Sequence, residues 1–240
     1  MPRRLPLTSA FRALSLRKTY AHAIYGLILQ LEARRILVIG GAGATLPSML
    51  ARAGKRVTVV DIDPAAFEIA REFFHLAPDL ECRRGDGRAF LETTNARYDA
   101  IVIDAFCSKR LPRALCSTAF FALARSRLTR SGALIANAIV SDDRDRTACR
   151  IAAGMAAAGL HVRLLDRPRR RDRNTVIVST TKARLLALPR LLVAPEVMTK
   201  RLAADLATLR FTNPGAARPF RDPRRRRATV QADALVRRAA

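Results

Sequence analysis

The stretch ILVIGGAGATLPSMLARA at residues 36–53 decides the fold of this chain. Its first four residues are apolar and mostly β-branched, which predicts a buried strand, and the glycine-rich run GGAGA at 40–44 predicts a tight turn before a helix. A glycine turn in this position lets backbone N–H groups and the helix N-terminus approach a ligand closely. The stretch therefore predicts the first strand-turn-helix unit of a ligand-binding α/β sheet.

The same alternation of strand and helix continues along the chain, and a lead-in helix precedes it at residues 18–32. Further strands are predicted at 57–61, 80–86, 98–106, 133–139, 160–165 and 175–180, with helices between them. Repeated strand-helix units imply a mostly parallel sheet with helices on both faces, whose final hairpin is antiparallel. We therefore predict a Rossmann-like α/β fold with seven strands.

Three regions follow from this pattern. Residues 1–35 form a basic segment with the lead-in helix, and residues 36–185 form the α/β domain. Residues 186–240 form a basic tail in which Pro, Gly and Arg are frequent, so we expect it to be partly disordered. A chain of 240 residues suits one such domain.

The net charge of +24 is concentrated in the flanks, and the last hundred residues hold 23 basic against 9 acidic side chains. One interpretation is weak attraction to nucleic acid. The favoured one is a solvated arginine-rich tail, because no aromatic residue interrupts the run Arg224–Arg227 to stack on bases. No apolar run reaches the roughly 18–20 residues of a membrane-spanning helix, so we expect a cytoplasmic protein without a membrane partner. The cysteines lack CxxC spacing, and no metal site is predicted.

Asp61 is the strongest candidate ligand residue, because it ends the second predicted strand, 21 residues after Gly40. A carboxylate at this place accepts hydrogen bonds from the hydroxyls of a ribose. The alternative is a structural turn followed by a solvated acid. Position 45 is not glycine, so the G-x-G-x-x-G pattern is absent and NAD is the poorer fit.

Four motifs occur in the order of a known family. They are RILVIGGAGATLP at 35–47, VTVVDIDPAAFEIAREFF at 57–74, RRGDGRAFL at 83–91 and YDAIVIDAF at 98–106, the last followed by Leu-Pro. Together they resemble the spermidine synthases (polyamine aminopropyltransferases) over about residues 20–140. The resemblance implies a class I methyltransferase fold that binds S-adenosylmethionine or its decarboxylated form.

The resemblance also implies roles for individual residues. The glycine turn would line the methionine part of the cofactor, Asp61 would hold the ribose hydroxyls, and Asp86 would contact the adenine amino group. Asp104 matches the catalytic aspartate that receives or orients the attacking amine, and it would also lie against the cofactor. The complete predicted cofactor site consists of Gly40, Gly41, Ala42, Gly43, Asp61, Ile62, Asp86, Gly87 and Asp104.

One departure from the family bears on the acceptor. The family usually has a second acid a few residues after the catalytic one, whereas this chain has Lys109 and Arg110 near that place. Cations facing the pocket would repel a polyamine. The leading hypothesis is an aminopropyltransferase with a small-molecule amine or other acceptor. The alternatives are a methyltransferase of the same fold and a non-catalytic, nucleic-acid-binding descendant, and a homodimer is open in each case.

Overall fold

The computed structural model describes residues 19–41, 45–74, 76, 80–108, 110–194 and 198–223. The strands in chain order are β1 (Arg35–Ile39), β2 (Arg56–Asp61), β3 (Glu81–Arg84), β4 (Tyr98–Ile103), β5 (Leu128–Val140), β6 (His161–Asp166), β7 (Arg173–Thr180) and β8 (Arg210–Thr212). The α-helices are α1 (Thr19–Gln30), α2 (Thr45–Arg52), α3 (Pro64–Phe74), α4 (Gly87–Thr93), α5 (Thr118–Ser126), α6 (Thr147–Ala157) and α7 (Thr199–Ala207), with a 3-10 turn at Arg113–Leu115.

The eight strands among the described residues form one sheet in the order β3-β2-β1-β4-β5-β7-β6-β8. The first five strands in this order, β3-β2-β1-β4-β5, pair in parallel. Strand β7 pairs antiparallel with both β5 and β6, and β8 pairs antiparallel with β6. The predicted Rossmann-like, mostly parallel sheet with an antiparallel final hairpin is therefore confirmed. The predicted count of seven strands is wrong by one.

Side chains on both faces of the sheet are buried, as expected for parallel strands covered by helices. In β1, Leu37 and Ile39 belong to one apolar cluster, whereas Ile36 and Val38 belong to the cluster on the opposite face. Helix α1 is buried along its length from residue 21 to residue 28, and it packs against α2, α7 and β7. This position explains why the lead-in helix is apolar on more than one face.

The eighth strand comes from the segment that was expected to form a tail. Leu202 and Leu206 on α7 and Leu209 after it are each at most 6% exposed, and Leu206 and Leu209 belong to the same apolar cluster as Ile36 and Val38 of β1. Strand β8 then adds to the edge at β6. Further along, Asp222 forms an ion pair of 3.3 Å with the largely buried Arg88 of α4. The basic run at 224–227 lies outside the described residues.

Candidate active site

The carboxyl ends of β1, β2 and β4 meet at one edge of the sheet. The backbone N–H of Gly40 donates to the carbonyl of Val60 (2.8 Å), and the N–H of Asp104 donates to the carbonyl of Ile39 (2.8 Å). These two bonds join the ends of three neighbouring strands. They bring the glycine turn, the end of β2 and the predicted catalytic aspartate together, at the edge where α/β sheets bind ligands.

The carboxylate of Asp61 is fixed against the glycine turn. Its Oδ2 accepts from the N–H of Gly41 (3.1 Å), and its Oδ1 accepts from the N–H of Asp63 (3.0 Å). The carbonyl of Asp61 accepts from the N–H of Gly85 (2.8 Å), so the segment before Asp86 lies beside it. The next side chain, Ile62, is 71% exposed, which is unusual for isoleucine and offers an apolar surface next to the acid.

Gly40 is required by close packing as well as by its backbone angle. Its φ is +77°, and a Cβ atom at this position would lie 2.5 Å from the Cα of Ala105. The turn therefore packs directly on the backbone that follows Asp104. Gly87 has a similar role, because a Cβ there would come within 2.2 Å of the Cγ2 of Ile39.

We expect Gly40→Ala to destabilise the fold more than Gly54→Ala. Both glycines have a positive φ, +77° and +71°, so both substitutions carry the left-handed penalty of about 1–2 kcal/mol. Only Gly40 also meets backbone atoms, since nothing lies within 4 Å of the Cβ position at Gly54. The free energies of unfolding of the two variants, measured by urea denaturation, should differ by about 1–3 kcal/mol, the usual cost of overpacking. Equal losses would show that the turn is not closely packed against Ala105.

Asp86 caps helix α4, and its Oδ1 accepts from the N–H of Ala89 (2.8 Å). The cap fixes this carboxylate at the helix N-terminus, next to the segment bonded to Asp61. Its predicted contact with adenine stays a prediction. Of the other predicted residues, Ala42, Gly43 and Lys109 lie outside the described residues.

Asp104 accepts hydrogen bonds on both carboxylate oxygens. The Tyr20 hydroxyl donates to Oδ2 (3.2 Å), and Asn137 Nδ2 donates to Oδ1 (2.9 Å). Asn174 Nδ2 in turn donates to Asn137 Oδ1 (3.0 Å). Burial raises the pKa of the Tyr20 phenol above its ordinary range, and the charge of Asp104 and its hydrogen bond raise it further. The phenol therefore stays protonated and keeps Asp104 in one orientation.

Sequence reasoning missed the partners of Asp104. Tyr20 lies on the lead-in helix, and its contact with Asp104 joins residues 84 positions apart. Asn137 did carry a signal, because it is an amide within the apolar strand ALIANAI, and a fully buried amide needs a partner.

The chain after Asp104 folds into a tight turn. Cys107 and Arg110 exchange backbone hydrogen bonds (2.9 and 3.2 Å), and Ser108 within the turn has a φ of +59°. Arg110 is exposed. Within the described part of the chain, no group of three His, Cys, Asp or Glu side chains could hold a metal ion, and no helix is long and apolar enough to cross a membrane.

The sheet order places this protein in a fold class, the Rossmann-like fold of S-adenosylmethionine-dependent methyltransferases. Human methyltransferase-like protein 13, solved in complex with SAH, shares this fold at a TM-score of 0.51 and 22% identity, over 81% of this chain and 91% of that one. Within the class, residues 18–145 match the model of the spermine/spermidine synthase domain. This match covers more than half of the chain, and the chain belongs to that family.

Two further proteins show the extent of the similarity. A polyamine aminopropyltransferase of Vibrio vulnificus (strain CMCP6) is 33% identical over 119 residues, which are 47% of this chain and 40% of that protein. The chain thus spans less than half the length of that relative. The crystal structure of a protein described as a probable spermidine synthase, from Corynebacterium glutamicum ATCC 13032, superposes with a TM-score of 0.68 at 22% identity, covering 87% of this chain and 80% of that one.

Proposed function

We propose that this protein transfers an aminopropyl group from decarboxylated S-adenosylmethionine to an amine acceptor. The observation that carries the proposal is the placement of Asp104, which lies at the end of β4 beside the glycine turn and is held on both oxygens by Tyr20 and Asn137. Asp104 also lies within the segment that matches the family model.

Asp104 suits the chemistry of an attacking amine. When bound, the donor would supply an electrophilic aminopropyl carbon, so that the amine nitrogen forms a C–N bond while the C–S bond breaks and its electron pair stays on the thioether sulfur. An amine attacks only in its neutral form, and the nitrogen must lose one proton overall. The Asp104 carboxylate can first pair with the ammonium form of the acceptor and then take the proton that the nitrogen loses.

The residues around the turn fit a nucleoside donor. The Asp61 carboxylate lies against the glycine turn, and the residue as a whole is only 9% exposed, so few water molecules compete with a ribose for it. Ile62 offers an exposed apolar surface against which a base can lie. The absence of a side chain at Gly40 lets the glycine turn lie directly against the backbone of Asp104 and Ala105.

Methyl transfer is the second candidate, because the fold is shared with methyltransferases. The exposed Arg110 also follows Asp104 closely, and a cation there would repel a polyamine acceptor. One experiment separates the two. The chain is incubated with an amine acceptor and either S-adenosylmethionine or its decarboxylated form, and the mass of the acceptor is measured. We expect a gain of one aminopropyl group with the decarboxylated donor. A gain of one methyl group would make the protein a methyltransferase, and no gain with either donor would contradict both proposals.

We expect Asp61→Ala to weaken nucleoside binding by about 1.5–3 kcal/mol, the usual cost of leaving hydrogen-bonding partners of a charged group unmet. Calorimetric titration with methylthioadenosine, which keeps the adenine and ribose, measures the change.

Asp63→Ala is the matched control, because Asp63 Oδ1 accepts from the N–H of Ala65 (3.0 Å) at the start of α3. It should reduce stability and leave the affinity for methylthioadenosine near its original value. Unchanged affinity in folded Asp61→Ala would remove Asp61 from the nucleoside site.

A further inference from the structure

A pocket adjoins the Asp104 network at the same edge of the sheet. It has a volume of about 200 Å³ and lies between α1, α7 and the hairpin that joins β6 to β7. Tyr20 and Asn174 line this pocket, and both belong to the network, Tyr20 directly and Asn174 through Asn137. A ligand in the pocket would therefore lie next to the groups that orient Asp104.

The hairpin gives this pocket an excess of positive charge. Four arginines line it, Arg167, Arg170, Arg171 and Arg173, against two acids, Asp172 and Asp205.

Two of the four guanidinium groups already have acidic partners. Arg167 pairs with Asp205 at 2.8 Å, and Arg173 donates to both oxygens of Asp166 (2.8 and 2.9 Å). Arg170 and Arg171 are exposed, and neither guanidinium forms an ion pair with any residue that the structure describes.

The hairpin is held in a strained backbone conformation. Arg169 and Asp172 have φ values of +66° and +45°, a region that residues with a Cβ atom seldom occupy. Hydrogen bonds from outside the hairpin maintain it, because the N–H of Arg169 donates to the carboxylate of Asp143 (3.1 Å) and the N–H of Asp172 donates to the carbonyl of Ser141 (3.0 Å). Strain that is maintained in this way is typical of functional sites.

The ion pairs of Arg173 hold the same hairpin in place. Arg173 lies between Asp166 and Asp143 (2.9 Å), and it also donates to the carbonyl of Arg170 (2.5 Å). Burial opposes ionisation of Asp166, but hydrogen bonds from Arg173, Thr175 and the backbone of Arg167 outweigh it and hold the pKa of Asp166 below its ordinary value. These contacts hold the backbone that carries Arg170 and Arg171 against the end of the sheet.

We propose that this pocket binds an anionic group of the acceptor, a carboxylate or a phosphate, so that the acceptor is an amine that also carries an acidic group. The inference rests on the proposed function for the amine end, which would lie at Asp104. The guanidinium forks of Arg170 and Arg171 match the geometry of carboxylate and phosphate oxygens. A plain diamine would bring a second positive charge towards the same arginines.

Matched pairs of acceptors test the proposal. Ornithine differs from putrescine by one carboxylate, and phosphoethanolamine differs from ethanolamine by one phosphate. Binding of each compound without donor and aminopropyl transfer to each with decarboxylated S-adenosylmethionine are measured at fixed ionic strength. We expect the anionic member of one pair to have a kcat/KM at least about tenfold higher, and that pair identifies the anion.

The variant Arg170→Glu/Arg171→Glu should remove this preference, lowering binding and kcat/KM for the anionic member by about tenfold or more. Lys200→Glu/Arg201→Glu is the control, because it makes the same charge change on exposed residues of α7 that do not line the pocket. It should leave the preference unchanged.

Each result bears on one proposal. Transfer that favours putrescine and ethanolamine, or a preference that the hairpin variant does not alter, overturns the anionic subsite and leaves the aminopropyltransferase proposal standing. Hairpin-dependent binding of ornithine or phosphoethanolamine with no transfer to any acceptor supports the subsite and contradicts the proposed function. If both double variants lowered the preference equally, the preference would depend on the net charge of the protein and not on the pocket. That result would also overturn the subsite.

Discussion

Asp104→Asn is expected to abolish aminopropyl transfer, lowering its rate by about 10²- to 10⁴-fold, the usual contribution of a positioned proton acceptor. An amide cannot take the proton that the attacking amine must lose. It also offers one acceptor atom where the carboxylate accepts from both Tyr20 and Asn137, so one donor would lose its partner. The measurement is product formation by mass spectrometry, with the acceptor that the unmodified protein uses fastest.

Asp99→Asn is the control for this substitution, because it makes the same change within the same strand. Asp99 lies near the start of β4, where it accepts from the N–H groups of Arg34 (3.0 Å) and Arg35 (2.9 Å) and from the Thr129 hydroxyl (3.1 Å). It should lower stability and leave transfer intact. Binding of methylthioadenosine should persist in both variants. Transfer by Asp104→Asn at more than a tenth of the original rate would show that another group accepts the proton.

The parts of the site that sequence predicts are those that follow from local pattern. The strand at 36–39, its glycine turn and the acid at 61 lie on short, continuous stretches whose periodicity sets their structure. The sheet then places them, because carboxyl ends of parallel strands share one edge. Hydrogen bonds from Gly41 to Asp61 and from Asp104 to Ile39 show that these residues lie close together. The binding roles of these residues remain predictions.

The rest depends on contacts between distant parts of the chain. Tyr20, Asn137 and Asn174 reach Asp104, or one another, only when α1, β5 and β7 have assembled around it. The sequence shows a basic loop at 167–174 but not which of its arginines have acidic partners. Asp143 and Asp205, which supply two of those partners, come from the loop after β5 and from α7.

The missed eighth strand has a similar cause. Strand β8 has three residues, too few for an alternating pattern to appear, and it exists because β6 supplies its hydrogen-bonding partners. Helix α7 has only two buried leucines among charged and small residues. The high positive charge of this segment is therefore misleading in the sequence. The segment is stabilised by packing of α7 against α1 and by the ion pairs of Asp205 with Arg167 and of Asp222 with Arg88.

We therefore expect truncation after residue 190 to destabilise the protein strongly. The sequence pattern alone predicts that the same truncation leaves stability nearly unchanged. It would remove the buried side chains of Leu202, Leu206 and Leu209, each contributing about 1.5–3 kcal/mol. It would also leave the largely buried Arg88 without Asp222. Compared with a chain that ends at residue 223, the melting temperature should fall by about 10–20 °C, because a loss of roughly 5 kcal/mol shifts a domain of this size by that amount.

A pair of point substitutions tests the same packing in a chain of full length. Leu206 is 2% exposed and Leu185 is 94% exposed, so Leu206→Ala should cost about 3 kcal/mol, whereas Leu185→Ala should change stability by no more than about 0.5 kcal/mol. Both are measured by urea denaturation. Equal melting temperatures for the chains ending at 190 and 223, together with a neutral Leu206→Ala, would show that α7 does not stabilise the sheet. Asp205 of α7 lines the pocket next to the Asp104 network. If α7 did not pack against the sheet, this side of the pocket would be open.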